Sequence, residues 1–346
     1  MKTSICIDGI IFSLQRHGGI SVYFKELLSY LSSRKCGYIM LFQNSLLQPI
    51  IEMDLSGGLM EVQVSRFLER YRKCHLPHNS SVFHSSYYRT PIRNDIPSVV
   101  TVHDFIYEKF INGPRSWVHT AQKNSAIRSA QAIICNSEST KDDLLKYVGV
   151  RSDQSVYVTH LAASDNFYHL NLKSDYLPFV LFVGQRAGYK NFSLVLKAME
   201  FLPELELHCV GGGAIQSLEL QNISDAVVNR VKHLGLVTDE KLNELYNSAV
   251  CLVYPSSYEG FGIPVVEAMK AGCPVVCTNC KAVIEIGGNA LTVVKDDDPR
   301  LMAEAILETM SSSRDLLIQK GEIISQRYSW ENTHRQTLAV YKSLGA

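Results

Sequence analysis

The 346-residue chain has no net charge, with 34 Lys and Arg balancing 34 Asp and Glu. That absence argues against a general nucleic-acid binder, which needs a basic surface. No stretch approaches the roughly 20 apolar residues required to cross a bilayer. The opening Met1-Lys2-Thr3-Ser4-Ile5-Cys6 leads straight into a strand-like segment, without a signal-peptide cleavage pattern. Nine cysteines, an odd number with no framework spacing, fit a reducing cytoplasm better than a disulfide scaffold. Cys277-Thr278-Asn279-Cys280 has no second ligand pair at zinc spacing and reads as the end of a buried strand. No Ser–His–Asp arrangement is visible, and Gly184 to Lys190 lacks the Gly-Lys-Ser/Thr ending of a Walker loop.

What is present is a regular alternation of strand and helix signals. The length suits two domains, and a composition of 46% hydrophobic and 20% charged residues is that of an ordinary globular protein. Short, continuous, β-branched runs predict strands at 4–8, 37–42, 81–84, 98–103, 132–136 and 155–160. A second set falls at 179–184, 205–211, 231–236, 249–254, 274–278 and 291–294. Continuous rather than alternating hydrophobicity suits parallel strands buried on both faces. Between them lie amphipathic helices, the first placing Ile20, Tyr23, Phe24, Leu27, Leu28 and Leu31 on one stripe. The expectation is an α/β chain of two doubly wound halves: an N-terminal domain over 1–165, a C-terminal domain over 178–328, and a closing helix over 329–346. Residues 164–178, polar and ending in Leu177-Pro178, are read as the linker.

The charge balance hides an asymmetry, since residues 1–165 hold 18 Lys and Arg against 14 Asp and Glu, and the rest hold 16 against 20. Part of the basic excess lies in Arg66-Phe67-Leu68-Glu69-Arg70-Tyr71-Arg72-Lys73. Two readings stay open there: a solvated helix face, or a patch meeting an anionic membrane or a phosphate-bearing acceptor.

Ligands of doubly wound sheets bind outside the carboxyl ends of the strands, and four motifs fall at such ends. Tyr254 closes a strand and is followed by a loop, Glu259-Gly260-Phe261-Gly262, with Pro264 expected as the first helical residue and Glu267 in the first helical turn. Free N–H groups at that helix start form a cradle for phosphate, and a neighbouring carboxylate can accept from ribose hydroxyls. Gly184-Gln185-Arg186-Ala187-Gly188-Tyr189-Lys190-Asn191 follows the first strand of the second half and offers two cations for a pyrophosphate whose charge grows during transfer. His103-Asp104 ends a strand of the first half, and His17-Gly18-Gly19-Ile20 precedes its first helix. Asp296-Asp297-Asp298 is acidic enough for a metal but lies in a polar loop before Pro299, distant from these motifs, and reads as a solvated turn.

The segment from Glu259 to Glu267 resembles the hallmark of the family 4 glycosyltransferases: two glutamates eight apart around Gly-Phe-Gly. The resemblance spreads along the chain but is dense from about residue 180 onward. It implies the GT-B fold, two Rossmann-like domains facing a central cleft, and a retaining transfer of a sugar from a nucleotide-sugar donor. It assigns Glu259 to the donor sugar, Glu267 to the ribose, and Arg186 and Lys190 to the pyrophosphate. Gly260, Phe261 and Gly262 form the donor loop, His103 lies against the transferred sugar, and Gly18 and Gly19 meet donor phosphates or acceptor. The form Gly-x-Arg-x-x-Tyr-Lys-Asn resembles the bacterial subgroup using GDP-mannose or related GDP-sugars. It points to a mannosyltransferase acting on a lipid-linked surface glycan such as O-antigen, in the cytoplasm and with a peripheral contact at the inner membrane. No metal cofactor and no nucleic-acid partner are expected. A nucleotide-sugar epimerase or sugar phosphorylase on the same scaffold, or a non-catalytic nucleotide-sugar-binding protein, remain the alternatives.

Overall fold

The computed structural model describes residues 4–15, 18–43, 58–170, 178–311 and 313–346. They divide into two compact units, one running to Leu161 and including Trp330–Ala346, the other spanning Ala162–Ser329. The division falls four residues before the expected boundary at 165. The reason is local: the Lys270 ammonium donates to the carbonyls of Ala163 (3.0 Å) and Ser164 (3.4 Å) and pairs with Asp165 at 2.8 Å. The start of the expected linker is therefore held to the second unit. Residues 171–177 lie outside the described residues.

Unit 1 is built on seven strands: β1 (Ser4–Asp8), β2 (Tyr38–Gln43), β3 (Gly58–Gln63), β4 (Ser80–Ser85), β5 (Ser98–Val102), β6 (Ala132–Cys135) and β7 (Ser155–Val158). All pairs are parallel, in the order β3-β2-β1-β4-β5-β6-β7. Unit 2 has six: β8 (Phe179–Val183), β9 (Glu206–Val210), β10 (Val231–Gly235), β11 (Leu252–Tyr254), β12 (Val275–Thr278) and β13 (Leu291–Val294), ordered β10-β9-β8-β11-β12-β13. Each sheet reverses direction of growth once, between β1 and β4 in unit 1 and between β8 and β11 in unit 2. A crevice opens at such a switch point because the connections on either side leave toward opposite faces.

The predicted strands reappear within a few residues, and the one element missed is β3. Continuous apolar runs mark the inner strands because both their faces are covered, as the fully buried β1, β5, β6 and β12 illustrate, while the edge strands β7 and β10 are only partly buried. β3 is the outermost strand and leaves Leu59 (65%), Met60 (46%) and Val62 (49%) exposed, so no buried run marks it.

The basic segment after β3 is not a helix face. Leu68 takes a left-handed conformation (φ 56°), which limits the segment to one short turn at Glu69–Tyr71. Arg66 holds Glu69 at 2.8 Å, and Glu69 in turn holds Arg89, which is wholly buried with Asp8 at 3.0 Å. The outer side presents Val64, Phe67 (82% exposed), Leu68 and Tyr71 among Arg66, Arg70, Arg72 and Lys73.

Helix Gly19–Ser33 buries Tyr23, Phe24, Leu27, Leu28 and Leu31, the stripe expected from its periodicity. The closing helix Trp330–Ser343 packs within unit 1 through Thr333, His334, Thr337, Val340 and Tyr341. Its contacts are polar as well as apolar. The Tyr23 and Thr337 hydroxyls lie 3.3 Å apart, and Tyr341 Oη is 2.5 Å from His84 Nδ1.

Candidate functional site

In unit 2, the loops after β8 and β11 leave from the two strands flanking the switch point. Tyr189 and Ser257 stitch them together: the carbonyl of Tyr189 accepts from Ser257 N (2.8 Å) and Ser257 Oγ (3.1 Å). This fastening brings Lys190 onto Glu259, with the ammonium donating to the carboxylate and to Tyr254 Oη at 3.2 Å. The pair is about nine-tenths buried, with side-chain exposures of 12% and 10%. Lys190 Nζ also lies 4.9 Å from the Tyr254 ring centroid. A buried carboxylate and ammonium stabilise one another only while paired. An incoming anion can take over the ammonium and leave the carboxylate free for hydroxyl groups.

Arg186 is engaged within unit 2. Its side chain is 3% exposed, and Nε donates to Glu219 at 2.7 Å. The other nitrogens donate to the carbonyls of Gly211 (3.2 Å), Gly212 (3.2 Å), Gly213 (2.8 Å) and Ala214 (3.1 Å). The guanidinium thus clamps the glycine turn after β9. Gly212 is required there, since it has φ +72° and an added Cβ would stand 2.7 Å from Arg186 Nη1 and 2.8 Å from Gly184 O.

Gly262 (φ 118°) precedes the helix Ile263–Lys270, which starts one residue earlier than expected. Pro264 is therefore its second residue, and Glu267 falls in the second turn, not the first. Phe261 is buried, its ring edge-on to Tyr328 at 5.8 Å. Gly260 lies between it and Glu259. Glu267 accepts from Tyr246 Oη at 2.9 Å. Burial of the carboxyl pushes its pKa up to about 7, with Asp239 adding to the rise and the Tyr246 hydrogen bond opposing it.

Unit 1 places His103 directly after β5, at the carboxyl end of its sheet. The ring is 6% exposed and edge-on to Tyr23, with centroids 5.7 Å apart. Its Nε2 is buried and has no hydrogen-bond partner among the described residues. Burial, reinforced by the Lys123 charge, lowers the pKa to about 3, so the imidazole is neutral at physiological pH. Gly18 and Gly19 open the helix Gly19–Ser33, where the Gly18 carbonyl accepts from Val22 N. His17 lies outside the described residues.

Among the described residues no group of three His, Cys, Asp or Glu is placed to hold a metal ion. Asp298 caps the helix Pro299–Glu308, accepting from Arg300 N at 2.7 Å, while Asp296 and Asp297 are exposed. Cys277 and Cys280 are buried, with thiols pushed up to about 12 and 11.

Two partners in these networks lie outside every motif: Glu219 on Arg186 and Tyr246 on Glu267. Tyr254, which accepts from Lys190, is the residue that opens the Glu259 motif.

Residues 17–160 match the family model described as Glycosyltransferase Family 4, and 169–323 match Glycosyl transferases group 1. The chain is 28% identical over 286 residues to an O-antigen chain mannosyltransferase B of Escherichia coli, covering 76% of this chain and 74% of that one. It is 27% identical over 282 residues to the serotype-specific mannosyltransferase WbdA of Escherichia coli, covering 72% of this chain but 34% of that longer protein. Among solved structures, sucrose-phosphate synthase from Thermosynechococcus elongatus superimposes with a TM-score of 0.79 at 18% identity, over 99% of both chains. With both halves matched and the fold shared, the chain belongs to the family 4 glycosyltransferases and has their GT-B fold.

Proposed function

We propose that the chain transfers mannose from GDP-mannose to a glycan acceptor, with retention of anomeric configuration and without a metal ion. The observation that carries this reading is the Lys190–Glu259 pair at the carboxyl ends of β8 and β11. In the reaction the C1–phosphate bond breaks and the acceptor oxygen bonds C1 on the same face. The acceptor hydroxyl proton passes to the leaving phosphate oxygen. Lys190 takes the pyrophosphate and stabilises the charge growing on it. Glu259, released from Lys190, receives the sugar hydroxyls. Arg186 serves the donor mainly through the glycine turn it holds, and Glu267 accepts from the ribose. The backbone of Gly260, Phe261 and Gly262 shapes the donor loop. His103, neutral and with an unpartnered Nε2, offers one hydrogen bond to the transferred sugar, and the helix start at Gly18 and Gly19 offers N–H groups to donor or acceptor.

The mannosyltransferase relatives, one acting on O-antigen chains by name, support mannose as the sugar and a lipid-linked surface glycan as the acceptor. No helix among the described residues is long and apolar enough to cross a membrane. We assign contact with anionic lipid at the cytoplasmic face to the segment Arg66–Lys73, where exposed Phe67 stands among arginines. Transfer from GDP-mannose in excess EDTA, with the product anomer read by NMR, tests the reaction. Undiminished formation of an α-linked product is expected. Loss of activity restored by Mg²⁺ would overturn the metal-free reading, and a β-linked product the same-face one.

A further inference from the structure

Beside His103, unit 1 contains a second recess whose chemistry the donor site does not use. It is a groove of about 510 Å³ between the short helix Ile106–Phe110 and the helix Pro114–Ser129, a size typical of small-molecule sites. One wall is the stripe Trp117, Thr120, Ala121 and Asn124, spaced three and four apart so that all four share a helix face. The other carries Tyr107 and Glu108. It is stiffened by His119, stacked on Tyr107 at 3.8 Å, and by Ser116 Oγ donating to the Tyr107 carbonyl at 3.1 Å.

Three properties define what fits. Trp117 is 72% exposed, an open aromatic face on a protein that has two tryptophans in all. Glu108 is deeply buried (side chain 6% exposed). Its Oε2 takes Lys123 Nζ at 3.1 Å, and its Oε1 has no partner among the described residues. Asn124 Oδ1 is likewise buried and unpartnered. Native proteins rarely leave such acceptors unmet, so the groove lacks the donors that would satisfy them. No lysine or arginine lines it, because the Lys123 ammonium is spent on Glu108 and on the Asp104 carbonyl at 2.6 Å. A phosphate would meet no cation and one carboxylate. A hydrocarbon chain would cover two orphaned acceptors. A pyranose suits all three, its C–H face against the indole and its hydroxyls donating to Glu108 and Asn124.

The geometry points to a saccharide subsite at Trp117, Glu108 and Asn124, binding neutral pyranose units of the acceptor glycan. It rests on the reading of the chain as a glycan-elongating transferase. The Asp104 carbonyl held by Lys123 ties this wall to the turn that carries His103, so the subsite sits at the same end of the sheet.

The two tryptophans make the test direct. In full-length protein carrying Trp330→Phe, Trp117 is the only fluorescent indole. Acrylamide quenching is measured with mannotetraose, with maltotetraose, and with undecaprenyl phosphate in detergent. Thermal stabilisation by GDP-mannose is recorded on the same sample. Shielding of Trp117 by a tetrasaccharide is expected, and adding Asn124→Ala should weaken that saccharide about tenfold through loss of one buried hydrogen bond. Because Asn124 Oδ1 bonds nothing within the described residues, this change should leave the fold intact. Shielding by undecaprenyl phosphate alone, or by no probe, overturns the subsite even if GDP-mannose stabilises the protein. Saccharide shielding without stabilisation by GDP-mannose upholds the subsite and sinks the donor assignment instead.

Discussion

The two units share a strand order over six strands, unit 1 adding a seventh, and differ in how they handle charge. Around β8 and β11, unit 2 gathers ionised groups next to loops: Lys190 with Glu259, and Arg186 with Glu219. Around β1 and β4, unit 1 sinks its ions out of reach, with Arg89 fully enclosed between Asp8 and Glu69. It sets His103 edge-on to Tyr23, whose ring also meets His84 and His334. One scaffold thus yields a charged recess in one copy and an aromatic, hydrogen-bonding one in the other. The first suits a pyrophosphate and the second suits sugars.

The largest effect expected is from Arg186→Ala, which removes the clamp on Gly211–Ala214 and leaves Glu219 unpaired. Losing several charge-assisted hydrogen bonds from a deeply buried guanidinium costs about 3 kcal/mol or more, while the partly exposed Glu219 adds little. Calorimetry should show a lowered transition, and hydrogen exchange should rise in unit 2 while unit 1 keeps its protection. Equal loss in both units would contradict the local role of the clamp.

Acidification should separate the units by sign. Burial lowers His84, His103, His119 and His334, all in unit 1, to about 3 from a usual 6.5. Their contribution to stability is complete above pH 6.5 and is lost as pH falls toward 3, by about 1 kcal/mol per histidine one pH unit below 6.5. Glu267 in unit 2 runs the other way, with a folded pKa near 7 against 4.5 unfolded. Its contribution is complete below pH 4.5 and is lost as pH rises toward 7. Between pH 6.5 and 4.5, exchange corrected for its intrinsic pH dependence should accelerate in unit 1 and slow around Glu267. Parallel behaviour of both regions would break the contrast.

A smaller change is expected from Lys190→Ala, which should cut turnover by roughly 10²–10³-fold, about 2–4 kcal/mol of transition-state stabilisation. Steady-state kinetics with GDP-mannose reads it. An effect confined to KM would reduce Lys190 to ground-state binding.

Much of this was legible from residues alone, because parallel strands buried on both faces write continuous apolar runs and the donor loops follow them at fixed offsets. Lys190 and Glu259, 69 positions apart in sequence, were each marked by a motif; their contact depends on the Tyr189 carbonyl meeting Ser257, a main-chain pairing that the side-chain pattern around Tyr189 does not reveal. The Arg186 clamp was not legible. An arginine in a glycine-bracketed loop looks the same whether it faces a ligand or folds back onto the carbonyls of the neighbouring turn. β3 escaped because Gly58-Leu59-Met60-Glu61-Val62-Gln63, exposed along most of its length, has neither the unbroken apolar run of the inner strands nor a clean alternation. Glu267 moved one residue deeper into its helix, from the first turn to the second, because Gly262, not Pro264, decides where that helix begins.

If the charged loops of unit 2 hold the donor, a hydrogen-exchange footprint of saturating GDP-mannose will fall on them. Protection is expected to concentrate in 184–191 and 256–267, to vanish in Lys190→Ala, and to be weaker with UDP-glucose. Protection confined to unit 1, or an undiminished footprint in the Lys190→Ala protein, would contradict donor binding by these loops.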